Sequence, residues 1–402
     1  MDDPQPRKAS PLREIAAVFF KLGAIGFGGP AVVTGMLEDE VVRGRGWVTR
    51  ERFLDLVGAT NIIPGPNAVE MCLHLGYVRA GWPGFFVAGA TFVIPAAVSS
   101  FALAWPYVQY GELPQVQQSL YGIKPAVLAL ILAAVWRLGQ TAAKSWQLIV
   151  IGAVVLGACV LGANEVLALL GGGVAGALWL WLLQRRRPAK EEPPAGLVGA
   201  AGGAAAAGAK AKGAAAVAAG AGAVAHVVPL WKLGLFFLKV GAVMYGTGYV
   251  LVAFLEGDLV NDWGWLTHQE LLDAIAVGQF TPGPLLSCVT FIGYVLLGVP
   301  GAVVATVAFL VPSLLFVAML NPVLPRLRRS VWASRFLDAV NASAVGLMLA
   351  VVGKLGYQSL KGWPAWVIAV AAGVAAIRFR VSAPWLVLGG SAIGWLLSPW
   401  AT

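Results

Sequence analysis

Long apolar runs alternate with short charged segments along this chain. Several runs reach the ~20 residues that an α-helix needs to cross a hydrocarbon core of about 30 Å. Four of them, at 84–105, 120–137, 147–163 and 165–183, predict conventional membrane spans. Long stretches of alternating polar and apolar residues, which a transmembrane barrel needs, do not occur in the sequence. The pattern therefore predicts an all-α polytopic membrane protein.

Two further apolar runs are interrupted by the tripeptide Pro-Gly-Pro, at 64–66 and at 282–284. Proline lacks the backbone N–H, clashes with the preceding helical turn, and moves the residue before it away from the α conformation. In lipid, the freed backbone groups are costly unless they line a cavity or contact protein. We therefore expect a broken, re-entrant helix at each tripeptide, with the two breaks facing each other at membrane depth.

The second half of the sequence repeats the first. Many residues recur 218 positions later; after one deletion the offset becomes 217, and it holds as far as Leu138-Gly139 and their copies Leu355-Gly356. The repeated residues include Lys21, Gly28, Glu38, Trp47, Asp55 and Pro64–Pro66, whose copies are Lys239, Gly246, Glu256, Trp265, Asp273 and Pro282–Pro284. An offset that persists over so long a stretch indicates two homologous halves.

Equivalent loops of the two halves carry opposite charge bias. Residues 38–55 contain four arginines and their copy, 256–273, contains no lysine or arginine; residues 106–119 contain none and their copy, 323–336, contains four arginines. Because positive loops stay on the cytoplasmic side of a membrane, equivalent loops should lie on opposite sides. The halves are therefore predicted to be inverted-topology repeats, an architecture common in secondary transporters.

These patterns divide the chain into four parts. They are a cytoplasmic tail (1–14), a first half with two broken segments and four spans (15–183), a charged loop with an Ala/Gly-rich connector (184–230), and an inverted second half (231–402). Inversion requires the connector to cross the membrane, and we expect one crossing from Lys212 to Trp231. The N-terminus is then cytoplasmic and the C-terminus periplasmic, in a bacterial inner membrane. Full crossings by the two broken segments would give the same topology after residue 80.

Composition agrees with a membrane protein. The chain is 59% apolar, its mean hydropathy is +0.78, and only 12% of its residues are charged, against ~25% in soluble domains. The net charge of +9 is spread over loop clusters that set topology, so we expect no nucleic-acid partner. Phosphate-loop, HExxH and GxSxG motifs are absent. The sequence predicts a protein that is not an enzyme and holds no cofactor or metal.

The breaks carry the first candidate chemistry. Half-helices that start at Pro30, Pro66, Pro284 and the turn 246–248 would present unpaired N–H groups and about half a positive charge each. Four such termini that converge at the membrane midplane make a site for a small oxyanion. The alternative is that the breaks are structural kinks without a ligand.

Polar residues near the breaks complete the candidate site. Lys21 and Lys239 either bind an anion or extend to the membrane surface, and Lys124, whose copy is Asn341, has the same two interpretations. The amides of Asn61 and Gln279 either bind an oxyanion or cap the broken helices. The candidate substrate-binding residues are Lys21, Gly28, Gly29, Asn61, Pro64, Gly65, Pro66, Asn67, Lys124, Lys239, Gly246, Thr247, Gln279, Pro282, Gly283, Pro284 and Asn341.

Three acids are candidate proton carriers: Glu70, Asp55 and Asp273. Asp55 and Asp273 lie near segment starts, where the helix dipole also favours an acid for structural reasons. Glu70 is more central and has no carboxylate at the equivalent position of the second half.

The combined motifs resemble those of the chromate ion transporter family in its long, two-domain form. The resemblance covers about 18–140 and 236–357 and is carried by Phe27–Pro30, Trp47, Pro64–Asn67, Gly76-Tyr77, Phe92–Pro95 and Tyr121–Pro125, and by Gly246–Gly248, Trp265, Pro282–Pro284, Phe309–Pro312 and Asn341-Ala342. It implies export of chromate, driven by the proton gradient or the membrane potential, with resistance to chromate as the result.

Several alternatives stay open. Sulfate or another oxyanion is a second candidate substrate, a passive anion channel is a second candidate mechanism, and a membrane scaffold without transport is a third. The expected partners are the oxyanion and the lipid bilayer, and the sequence leaves open whether the chain forms a homodimer.

Overall fold

The computed structural model describes residues 10–27, 30–111, 113–185, 228–245, 248–282, 286–320 and 330–397, and all regular structure in these segments is helical. Five of the helices are long and apolar enough to cross a membrane. The predicted all-α membrane fold is therefore confirmed. Most of the predicted connector crossing, up to residue 227, lies outside the described residues.

Each half contributes the same series of helices. In the first half they are α1 (Pro11–Ile25), α2 (Pro30–Glu38), α3 (Arg50–Thr60), α4 (Asn67–Tyr110), α5 (Pro114–Ala142), α6 (Trp146–Val160) and α7 (Glu165–Arg185). In the second half they are α8 (Leu230–Val243), α9 (Val250–Phe254), α10 (His268–Phe280), α11 (Leu286–Leu320), α12 (Val331–Ser359), α13 (Trp363–Arg378) and α14 (Ala383–Leu397). A π-helical turn follows α2 at Asp39–Gly44 and follows α9 at Leu255–Asp262.

Equivalent residues build equivalent local structure. The hydroxyl of Thr49 accepts a hydrogen bond from the backbone at the start of α3, and its copy Thr267 caps α10 in the same way. Gly23 of α1 lies directly against the backbone of Phe92 in α4, and its copy Gly241 lies against the backbone of Phe309 in α11. The repeat predicted from the offset is thus present in three dimensions.

The long helices α4 and α11 each reverse direction at a glycine. Gly81 and Gly298 occupy equivalent positions and both have φ +62°, which residues with a Cβ rarely adopt. The reversal packs Gly76 of α4 directly on Gly84, and the equivalent glycines of α11 make the same contact. Each long helix therefore has a short first arm and a long second arm that run antiparallel. The predicted span 84–105 lies in the second arm of α4.

The two halves interleave. Helix α5 packs against α13 and α14 of the other half, and its copy α12 packs against α6 and α7; α4 also packs on α11 and α5 on α12. Small residues allow these approaches, as at Gly122 of α5, which lies on Gly390 and Gly394 of α14. The last two helices of each half therefore complete the core of the opposite half.

Candidate substrate site at the helix breaks

Glu14, at the start of α1, joins the ends of two helical hairpins. Its carboxylate pairs with Arg79 at the end of the first arm of α4 (2.8 Å) and with Arg45 after α2 (3.5 Å), and it accepts a hydrogen bond from the indole of Trp47 (3.3 Å). The hairpin of α1 and α2, and that of α3 and the first arm of α4, therefore return to the end of the molecule where they began. We call this end the first face.

Lys232 takes the place of Glu14 in the second half. Its ammonium lies over the rings of Trp263 (4.4 Å to the centroid) and Trp265 (5.0 Å), and Trp265 is the copy of Trp47. Nearby, Gln269 donates a hydrogen bond to Gln117 (3.1 Å), which follows the long second arm of α4. Because that arm starts beside the first face, this cluster marks the opposite end of the molecule, which we call the second face.

The first break, residues 61–66, separates α3 from α4. Pro64, Gly65 and Pro66 are buried, and Gly65 has φ +142°. The N–H of Gly65 donates to the carbonyl oxygen of Met244 (2.8 Å), which lies between α8 and α9. The first break therefore contacts the break in the opposite half's first hairpin.

Glu70 and Ser313 meet at the first break. Both are fully buried, and both lie directly against Gly65, Glu70 from the first turn of α4 and Ser313 from α11. Among the described residues their side chains have no hydrogen-bond partner beyond each other. Ser313 was not predicted, because its first-half copy is Ala96 and the repeat gave no signal for it.

This placement has an electrostatic consequence. The N-terminus of α4 attracts negative charge, and Glu70 stands in its first turn. An ionised Glu70 would interact favourably with that terminus, whereas a protonated Glu70 would leave it to another anion, so the two would compete for one position.

The second break follows α10 at residues 281–285, of which Thr281 and Pro282 are described. The hydroxyl of Thr281 donates to the hydroxyl of Ser287 (2.6 Å), and Ser100 of α4 donates to the carbonyl oxygen of Ser287 (2.5 Å). A serine from the long helix of the opposite half thus contacts the first break, at Gly65, and the first turn of α11 beside the second break, at Ser287. Six predicted site residues lie outside the described residues: Gly28, Gly29, Gly246, Thr247, Gly283 and Pro284.

The two predicted lysines are held in equivalent ion pairs. Lys21 binds Glu40 (3.0 Å) and Lys239 binds Asp258 (2.7 Å), and Asp258 stands at the position equivalent to Glu40. The hydrogen bond from Lys21 holds the pKa of the Glu40 carboxyl below its usual range. In this conformation neither lysine is a free cation. The acidic partners escaped prediction, although the recurrence of an acid at this position was visible in the repeat.

Asp273 and Asp55 occupy contrasting environments. Asp273 is 2% exposed, accepts a hydrogen bond from the hydroxyl of Tyr107 (2.9 Å), and interacts electrostatically with half-buried Lys124. Asp55, its copy, is exposed. The structure thus brings Lys124 and Asp273 together across the halves and separates them from Asp55.

The predicted amides lie beside the breaks. Asn67 donates to the side-chain oxygen of Asn61 (2.8 Å), and this hydrogen bond spans the first break. Gln279, in the last turn of α10, accepts a hydrogen bond from the hydroxyl of Tyr249 (3.3 Å), which lies at the end of the break between α8 and α9. Asn341 is half-buried on α12.

The other notable features of the described structure provide no donors for an anion. A crevice of about 230 Å³ between α5, α6 and α12 is lined only by apolar residues and glycines. Cys72, Cys159 and Cys288 are buried free thiols. No cluster of His, Cys, Asp and Glu that could hold a metal occurs in the part of the chain that the structure describes.

The chain resembles known proteins over nearly its whole length. A chromate transporter family model matches residues 13–177 and 231–395, one segment in each half. A chromate transport protein of Cupriavidus metallidurans is 31% identical over 96% of this chain and 94% of its own length. A probable chromate transport protein of Synechococcus elongatus is 32% identical over 90% of this chain and 88% of its own length. No solved structure matches the chain significantly. The chain is a multi-pass membrane protein that belongs to the chromate transporter family.

Proposed function

We propose that this protein is a secondary transporter that exports chromate across the bacterial inner membrane and thereby confers chromate resistance. The observation that carries the proposal is the first break, where a buried helix N-terminus meets the chain break of the opposite half. Such termini bind oxyanions without a formal cation. The names of the relatives support chromate, a tetrahedral dianion, as the oxyanion.

In the proposed site, backbone N–H groups at the start of α4 hold the dianion, and the amides of Asn67 and Gln279 add donors. Lys124, which interacts electrostatically with Asp273, is the proposed cation of the site, since Lys21 and Lys239 must first leave Glu40 and Asp258. The remaining candidates, proposed from the sequence pattern, are Gly28, Gly29, Asn61, Pro64, Gly65, Pro66, Gly246, Thr247, Pro282, Gly283, Pro284 and Asn341.

Glu70 is the proposed proton carrier of the site. Because an ionised Glu70 and the oxyanion compete for one helix terminus, the loaded carrier holds a protonated Glu70. A dianion with one proton carries a single net negative charge, which an inside-negative potential drives outward at ~2.3 kcal/mol per 100 mV. Asp273, buried beside Lys124, is a second candidate, and exposed Asp55 a third.

The proposed topology places the first face in the cytoplasm and the second face in the periplasm. The arginines of the first face support this orientation under the positive-inside rule. The broken segments are then re-entrant hairpins, and the N-terminus is cytoplasmic. Helix α7 starts near the second face, with Glu165 against Gly257, and so ends near the first face. Helix α8, which follows the connector, again starts at the second face, with Lys232. The connector must therefore cross the membrane once, and the C-terminus is periplasmic.

Single cysteines at positions 112 and 328 are expected to react with an impermeant maleimide from opposite sides of the membrane. The first position belongs to a loop without positive charge and the second to the arginine-rich copy of that loop. Labelling of right-side-out and inside-out vesicles measures this directly. Reaction of both positions from one side would contradict the inverted topology.

Purified protein in liposomes is expected to carry chromate in response to an imposed pH gradient or potential. Flux that saturates and responds to the pH gradient supports a carrier, flux without saturation or proton dependence indicates a channel, and absence of flux favours a scaffold. Excess sulfate should inhibit chromate flux, because backbone donors distinguish poorly between two tetrahedral dianions. Chromate flux that ignores high sulfate would rule out a site built mainly from helix termini.

A further inference from the structure

The two pairs of hairpins are packed differently, although their sequences are repeats. In the second half, α9 packs against α7 and α12, and α10 packs against α5 and α14. In the part of the chain that the structure describes, α2 and α3 make no contact of comparable extent with the equivalent helices α14, α5, α12 and α7. The hairpins of the second face are closed onto the surrounding helices, and those of the first face stand away from them.

Side-chain exposure shows the same asymmetry at single positions. Leu272 of α10 is 1% exposed, whereas its copy Leu54 of α3 is 52% exposed. All seven residues from Val250 to Glu256 are buried, whereas their copies from Val32 to Glu38 include exposed ones. The first face is therefore the open side of this conformation.

An ion pair fastens the closed side. Glu256, in the π-helical turn after α9, has a fully buried side chain and lies 3.7 Å from the ammonium of Lys354 on α12 and 3.5 Å from the imidazole of His268 on α10. Glu165 of α7 lies against the adjacent Gly257. The pair between Lys354 and Glu256 thus joins the hairpin of α8 and α9 to α12, the helix against which that hairpin packs.

The open side has the same parts in a different arrangement. The offset makes Glu38 the copy of Glu256 and Arg137 on α5 the copy of Lys354. Glu38 pairs with Arg50 (3.1 Å), the copy of His268, so the local half of the cluster is already formed. Arg137 instead donates to the carbonyl oxygen of Ala376 on α13 (2.8 Å). The missing contact at the first face is the pair between Arg137 and Glu38.

We propose that Lys354 and Arg137 are reciprocal gating residues of the transport cycle. Lys354 closes the second face by binding Glu256, and Arg137 closes the first face by binding Glu38 after the Lys354 pair has opened. The inference rests on the proposed transport function and deepens it. Because the halves are repeats, the residues that close the second face have equivalents that can close the first face. Each conformation forms one of the two pairs, either Lys354 with Glu256 or Arg137 with Glu38.

The test uses cysteine accessibility and needs no substrate. Cys72, Cys159 and Cys288 are replaced by alanine, and a single cysteine is placed at Leu54 or Leu272 and exposed to an impermeant maleimide from each side. Lys354→Glu should open the second face, so labelling at position 272 rises at least about tenfold and labelling at 54 falls. Arg137→Glu should do the opposite, since it prevents closure of the first face.

Two control variants separate the gate from misfolding. Arg137→Lys keeps the charge that the second half uses at this position and should retain the wild-type labelling ratio. The double variant Glu38→Arg with Arg137→Glu restores an opposite-charge pair and should return the ratio to within about threefold of wild type. The proposal would be overturned if Arg137→Glu and Lys354→Glu shifted the labelling ratio of positions 54 and 272 in the same direction. It would also be overturned if the double variant failed to return that ratio towards the wild-type value. Opposed shifts in a protein that carries no chromate would leave the gate standing and refute the substrate.

Discussion

Replacement of Pro64, Gly65 and Pro66 by three alanines is expected to weaken chromate binding roughly a hundredfold or more. Each proline removed from a helix interior gains about 3 kcal/mol of helical propensity, so α3 and α4 should join across the first break. The N–H groups at the start of α4 would then bond within the helix instead of facing the site. Charge-assisted hydrogen bonds are worth about 1.5–3 kcal/mol each, and the loss of two accounts for the expected factor.

The appropriate control is Pro106→Ala, which removes a proline inside the same long helix without touching a break. It should insert and bind chromate like the wild type. Binding is measured on purified protein by isothermal calorimetry, with insertion checked by the labelling of position 112. A triple-alanine variant that inserts correctly and binds at wild-type affinity would show that the first break is only a kink.

Glu70→Gln should abolish the pH dependence of chromate binding. In the wild type, rising pH removes the proton from Glu70, the carboxylate takes the N-terminus of α4, and affinity should fall about tenfold per pH unit where one proton is linked. Glutamine is neutral at every pH and nearly isosteric, so the variant should bind with a constant affinity close to the low-pH value of the wild type. It should also lose the ability of a pH gradient to change flux.

Glu70→Asp retains a titrating carboxyl at this position and is the matched control. It should keep a pH-dependent affinity, displaced along the pH axis by its shorter side chain. A Glu70→Gln variant whose affinity still falls with pH would assign the coupled proton to another group. Asp273, which is buried beside Tyr107 and Lys124, would then be the first to test.

The repeat made much of this protein predictable from the sequence. The offset of 218 and then 217 positions predicted equivalent helices, and Thr49 and Thr267 begin them with equivalent caps. Opposite charge bias in equivalent loops predicted the inversion. The repeat, the helix caps and the loop charges are all local or periodic patterns, and such patterns can be recognised in a linear sequence.

What remained hidden depends on packing between distant segments. Ser313 meets Glu70 only because α11 crosses α4, and Tyr107 meets Asp273 only because the halves interleave. The difference between buried Leu272 and exposed Leu54 cannot be encoded in a pattern that both positions share. This difference in exposure belongs to one conformation of the chain, whereas the same sequence is shared by every conformation that the chain adopts.

The interleaved packing also bears on how the protein is made. Helix α5 leaves the ribosome early, yet the helices that cover it, α13 and α14, are the last of the described chain to be synthesised. Until those helices are made, the small-residue surface around Gly122 lacks its partner at Gly390. Folding of the first half therefore waits for the synthesis of α13 and α14, and a chain that stops after α12 lacks two of the helices that pack on α5.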